Sequence, residues 1–199
     1  HGLWGKGNYF DPSIGVPLLI RGPGIQGEHH RVPHPFSLID LYPTTCGLAG
    51  LPIPEGLDGV DFSGLLADPE RAKPPREYVT AGYCHYGVKI NYRQTAEEEP
   101  AAGMRVVRSR DWKYVDIEKG DRLLFDMVND PDEETNLAES PDQADRCREM
   151  REALFEGFSW ERVHEQLAAD RVRLSEFQSG QKPSTPNQYM LPDGRVFDA

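Results

Sequence analysis

MRVVRSRDWKYVDIEKGDRLLFDMV, residues 104–128, holds three strand-like runs in close succession. Met104–Ser109, Trp112–Ile117 and Arg122–Val128 are rich in β-branched and aromatic residues. The first two are joined at Arg110-Asp111 and the last two by Lys119-Gly120-Asp121. Connections this short leave no room for a crossover helix, so they predict antiparallel neighbours in a meander. A fourth run at 78–81, Tyr-Val-Thr-Ala, belongs to the same sheet, separated from 104 by a segment with the acidic run Glu97–Glu99. That segment reads as a solvated loop, with a lid over a site as the sharper alternative.

Helical periodicity begins after the last strand. Residues 142–155 place Cys147, Met150, Leu154 and Phe155 on or near one face, and residues 160–177 repeat the pattern with Val163, Leu167, Val172, Leu174 and Phe177. Between strand and helix, NDPDEETNL (129–137) reads as a turn leading into a helix, its carboxylates beside the first-turn amides. It lacks the spacing and central glycine of an EF-hand loop. Beyond Gly180 the tail loses periodicity yet keeps Tyr189, Met190, Leu191 and Phe197, which predicts an extended strap docked on another surface.

The N-terminal part reads differently. Val16–Ile20 is an apolar run bounded by Gly15 and Gly22, predicting a buried strand with Pro17 at its start or at a sheet edge. The Gly- and Pro-rich stretch with His29, His30 and His34 reads as a loop, its histidines solvated rather than ligating. Asp40 is the expected N-cap of a short helix that ends at Gly47 or Gly50. Residues 51–75 read as an irregular wrap in which Asp58 and Asp61 cap turns rather than form a paired-carboxylate site. Lys6 lies between Gly5 and Gly7, where the absent side chains admit a close ligand and present the ammonium as a point charge to an anion.

Four segments carry a resemblance, in chain order: HGLWGKGNYFDPSIGVPLLIRGPG (1–24), SLIDLYPTTCGLAGLPIPEGLDGVDFSGLL (37–66), LLFDMVNDPDEETNLAE (123–139) and TPNQYMLPDGR (185–195). Together they resemble the C-terminal portion of formylglycine-dependent sulfatases and the closely similar phosphonate monoester hydrolases of the alkaline phosphatase superfamily. The implied fold is α/β: the end of a sulfatase-type main sheet in residues 1–76, a small antiparallel sheet packed with helices in 77–180, and a docking tail in 181–199. Lys6 matches the family lysine that reaches the sulfuryl or phosphoryl oxygens. His1, a few residues before it, is a weaker candidate for the same substrate-binding cleft. Tyr83 and His85, at a strand end, are weaker still. Gly15 departs from the pattern, standing where the family usually has arginine.

The resemblance also implies parts that this sequence does not hold. The family nucleophile is a formylglycine made from cysteine in a Cys-x-Pro-x-Arg motif, and Cys46, Cys84 and Cys147 all lack that context. The divalent metal, calcium or manganese, is held by an upstream acidic motif, so no metal ligand is assigned here. The chain therefore reads as the C-terminal piece of a larger enzyme acting on a sulfate ester, or alternatively a phosphonate or phosphate ester. By itself it is expected to be inactive. The rival reading is a noncatalytic assembly module, and the tail suggests a homo-oligomer.

Composition narrows the partners. A net charge of −11 offers no phosphate-neutralising surface, which argues against nucleic acid. No apolar run reaches the roughly 20 residues needed to span a bilayer. Three cysteines without a CxxC pair give no disulfide framework and mildly favour a reducing, cytoplasmic setting. A hydrophobic fraction of 38% fits a chain that packs against a partner.

Overall fold

In the computed structural model, which describes residues 7–25, 30–84, 103–179, 188–190 and 196–198, the predicted meander forms. Strands β1 (Val79–Cys84), β2 (Gly103–Arg108), β3 (Trp112–Ile117) and β4 (Arg122–Asp126) lie side by side in that order, every pair antiparallel. The β2–β3 register sets Val107 opposite Tyr114, and the β3–β4 register sets Tyr114 opposite Leu124. Because side chains alternate across a strand, these three share one face. The next residues along, Val106, Val115 and Phe125, fall on the other. Lys119 adopts φ 59°, the left-handed conformation that closes the β3–β4 turn.

Both faces of the sheet are covered. Helix α4 (Ala144–Phe155) lays Met150 and Leu154, each fully buried, against Val107, Tyr114 and Leu124. The opposite face, Val106, Val115, Phe125 and Met127, is covered by Tyr9 and Ile14 from the N-terminal segment. Apolar runs such as Val106-Val107 and Leu123-Leu124-Phe125 therefore have a burial partner on each side.

The outer edge of β4 is closed by residues 129–137, although these do not lead straight into a helix as predicted. Asp130 accepts from the Glu134 and Thr135 amides at 3.0 and 2.9 Å, holding an irregular turn. Asn136 then takes the Leu124 N–H at 3.0 Å, and the Leu137 N–H donates to the Leu124 carbonyl at 2.8 Å. An unpaired edge is a template for aggregation, and this loop removes it. The helix starts later, through a 3-10 turn at Pro141–Gln143.

The N-terminal elements are short: α1 (Asp11–Ile14), α2 (Leu41–Leu48) and α3 (Ser63–Ala67). Gly50, at φ 65°, ends α2, with the Leu51 N–H reaching the Cys46 carbonyl at 2.9 Å. Asp40 stands at the α2 N-cap position as expected, but its side chain bonds no α2 amide: it closes a 3-10 turn (Leu38–Asp40) and points its carboxylate inward. It accepts the Ser37 and Val60 amides, each at 2.9 Å, and pairs with Arg76. A fully buried carboxylate needs several donors, and this position supplies them. Asp61 is a turn cap as predicted, bonded to the Ser63 amide and hydroxyl at 2.7 and 2.8 Å.

Residues 15–22 form no strand: Val16, Leu18 and Leu19 are 50, 42 and 91% exposed. An apolar run becomes a buried strand only beside a sheet that accepts it, and among the described residues none does. The tail is also more ordered than a plain strap, since β5 (Gln188–Met190) pairs antiparallel with β6 (Val196–Asp198). The chain divides into two compact units, residues 1–156 and 157–199. The second begins at Gly157 (φ 66°) and contains α5 (Trp160–Ser179), the helix predicted for 160–177, together with the hairpin.

Candidate functional site

The segment that follows Lys6 is anchored on the sheet. Lys6 and His1 themselves lie outside the described residues, as do His29, His85 and Glu97–Glu99. The description begins at Gly7, whose φ of 107° is readily adopted only by glycine. A Cβ there would sit 3.8 Å from the Tyr83 ring, so Gly7 lies against the tip of that β1 side chain. Asn8 caps the following turn, accepting the Phe10 amide at 3.0 Å, and Tyr9 stacks at a tilt on Phe10 with centroids 4.5 Å apart.

Beneath this segment lies a charged cluster not foreseen from the sequence. Lys113 on β3 points its side chain to the face that Tyr9 and Ile14 cover and is fully buried. Its ammonium donates to Asp11 Oδ1 at 2.8 Å and to Glu133 Oε1. The second oxygen of Glu133 accepts the Asp11 backbone N–H at 2.7 Å. Glu133 reaches this position with φ 57°, in the left-handed region, so it faces the first amide of α1 rather than the expected amides of a helix following its own turn. Arg108 approaches Asp11 Oδ2 at 3.8 Å, and burial pushes its guanidinium pKa down against the pull of Asp11 and Glu133. Burial, reinforced by the Glu133 charge, pushes the Tyr9 phenol up. The available signal was a lysine inside the apolar strand Trp-Lys-Tyr-Val, a position that requires a buried counter-charge.

The other candidates are not drawn together. Tyr83 is beside Gly7 and partly exposed, whereas Asp61 caps the turn that enters α3. Among the described residues, no group of three or more His, Cys, Asp or Glu side chains is arranged to hold a metal ion, so the residues present do not fit the family's divalent metal. Cys46 is buried in α2, and burial pushes the Cys84 and Cys147 thiols up, opposite to the lowered pKa of a reactive cysteine.

Comparison with known proteins agrees with this architecture. The family described as N-sulphoglucosamine sulphohydrolase, C-terminal, matches residues 1–158. Choline-sulfatase of Rhizobium meliloti (strain 1021) is 37% identical over 164 residues, 78% of this chain and 28% of that protein. Arylsulfatase K of Bos taurus is 32% identical over 148 residues, 69% of this chain and 25% of that protein. Among solved structures, a 2-O GAG sulfatase superposes with a TM-score of 0.57 at 25% identity, over 88% of this chain and 33% of its own. The phosphonate monoester hydrolase of Agrobacterium radiobacter gives 0.54 at 24% identity over 100% of this chain and 36% of its own, a likeness of fold alone. The chain thus spans about a quarter of the length of the curated relatives it matches. With its antiparallel sheet, backing helix and family match over 1–158, the chain belongs to the sulfatases, as a C-terminal portion of that family.

Proposed function

We propose that this chain is the C-terminal part of a sulfuric ester hydrolase, in which Lys6 binds the anionic oxygens of the substrate's sulfuryl group. The observation that carries this reading is the family match that starts at residue 1 and takes in the Lys6 segment. A lysine ammonium is a compact charge, suited to a tetrahedral oxyanion whose charge grows as the ester bond breaks. Its part is electrostatic: it holds the sulfuryl oxygens and offsets that developing charge where water is partly excluded. The C-terminal family match and a span of about a quarter of the curated relatives support a nucleophile and metal site carried outside this chain.

The exposed apolar side chains support such an outside portion. Val16, Leu18, Leu19, Leu38, Ile39 and Tyr42 are each more than 40% exposed in the N-terminal unit. Leu19 and its neighbours form the run that would pair as a strand once a larger sheet is present.

The test is steady-state kinetics on the full-length protein with 4-nitrophenyl sulfate, with a 4-nitrophenyl phosphonate ester alongside. Lys6→Ala is expected to lower kcat/KM about a hundredfold, the scale of losing one oxyanion contact worth ~3 kcal/mol. The isolated chain is expected to turn over neither ester. Unchanged kinetics in Lys6→Ala would end the assignment of Lys6, and faster turnover of the phosphonate would change the substrate class.

A further inference from the structure

We infer that the buried Lys113–Glu133–Asp11 cluster is a positioning device that fixes the backbone carrying Lys6, an inference that rests on the oxyanion role proposed for Lys6. Three observations lead to it. The cluster joins parts of the chain far apart in sequence: Asp11 is five residues after Lys6, Lys113 is the second residue of β3, and Glu133 is in the loop that closes β4. Its contacts are directional rather than merely attractive, because Glu133 uses one oxygen for the Lys113 ammonium and the other for the Asp11 backbone N–H at 2.7 Å. A carboxylate gripping a backbone amide fixes where the chain runs, whereas a side-chain ion pair alone fixes only charge.

The third observation is the cost of the arrangement. Lys113 is fully buried and Glu133 is 3% exposed, and both lie beside a sheet face otherwise filled by Val106, Val115 and Phe125. An apolar pair of similar volume would serve packing as well or better, since the desolvation of buried ions is seldom recovered in net stability. Glu133 also holds a left-handed backbone to reach its place. What the ionic version adds over an apolar one is a fixed registry of residues 7–14 on the sheet. Tyr9 and Ile14 pack on the same face, and Gly7 lies beside the Tyr83 ring, so residues 7–14 are held on the sheet as far as the residue next to Lys6. A lysine on a chain entry held in this way meets an oxyanion without a search at each turnover.

The experiment is a double-mutant cycle in the full-length enzyme with 4-nitrophenyl sulfate. Glu133→Ala, which releases the Asp11 amide, and the apolar pair Lys113→Met with Glu133→Leu are each made alone and together with Lys6→Ala. Each is expected to lower kcat/KM tenfold or more in the parent background and less than twofold once Lys6 is gone, since a positioning residue has nothing left to position. Thermal midpoints should shift equally in both backgrounds, which separates positioning from folding. Equal kinetic losses with and without Lys6 would overturn the inference while leaving the role of Lys6 intact. An inert Lys6→Ala would instead remove both. If Glu133→Ala does not fold, the apolar pair Lys113→Met with Glu133→Leu decides the matter, because it keeps the packing and loses the grip on the Asp11 amide.

Discussion

Gly59 shows how little freedom single positions retain. A Cβ there would collide with the Ile39 carbonyl and come within 3.2 Å of Pro43 Cγ. Backbone cannot yield as a flexible side chain can, so Gly59→Ala is expected to cost ~1–3 kcal/mol, read by urea denaturation. Lys113 makes a complementary case. Lys113→Met leaves the Glu133 carboxylate buried without its cation and is expected to cost ~3–5 kcal/mol, whereas Lys113→Met with Glu133→Leu should recover most of that loss. Tyr114 gives a dependence on pH. Burial, with the Asp116 charge adding to it, pushes its phenol from 10.0 up to about 12. The folded state then keeps a proton that the unfolded state releases, so this contribution is complete below pH 10 and is lost as pH rises through about 12. Tyr114→Phe should flatten the fall in stability across that window, and an unchanged slope would contradict the assignment. At this scale the sequence was only partly legible: Asp61 read correctly as a turn cap, but the inward turn of Asp40 and the Glu133 contact depend on partners 20 or more residues away.

Among the elements, the meander was legible because its signal is local. Two- and three-residue connections between β-branched runs permit little but antiparallel pairing, and β2, β3 and β4 fall within two residues of their predicted bounds. Helix α4 was legible for the same reason, through Met150 and Leu154 one turn apart. Truncating either to Ala is expected to cost ~2–5 kcal/mol, because both are fully buried against the sheet. Residues 15–22 were misread, since apolar composition alone cannot say whether a neighbouring strand is at hand. The β4 edge offers a further test. Asn136→Ala removes an acceptor from the Leu124 and Ala138 amides and a donor to the Arg122 carbonyl. Hydrogen exchange at Leu124 should then quicken at least tenfold, with the β2 amides unaffected.

The whole molecule combines a well-packed small sheet with apolar surface that no described residue covers. Family, fold and chain order were legible together in four sequence segments, whereas the charged cluster under the Lys6 segment emerged only in three dimensions. The chain spans about a quarter of the length of its curated relatives, and Leu19 is 91% exposed. The most direct test is complementation: the preceding portion of the protein, produced separately, is mixed with this chain and assayed on 4-nitrophenyl sulfate. The account predicts turnover only when both are present, and almost none when the chain carries Lys6→Ala. Full turnover by either part alone, or full rescue by the Lys6→Ala chain, would contradict it.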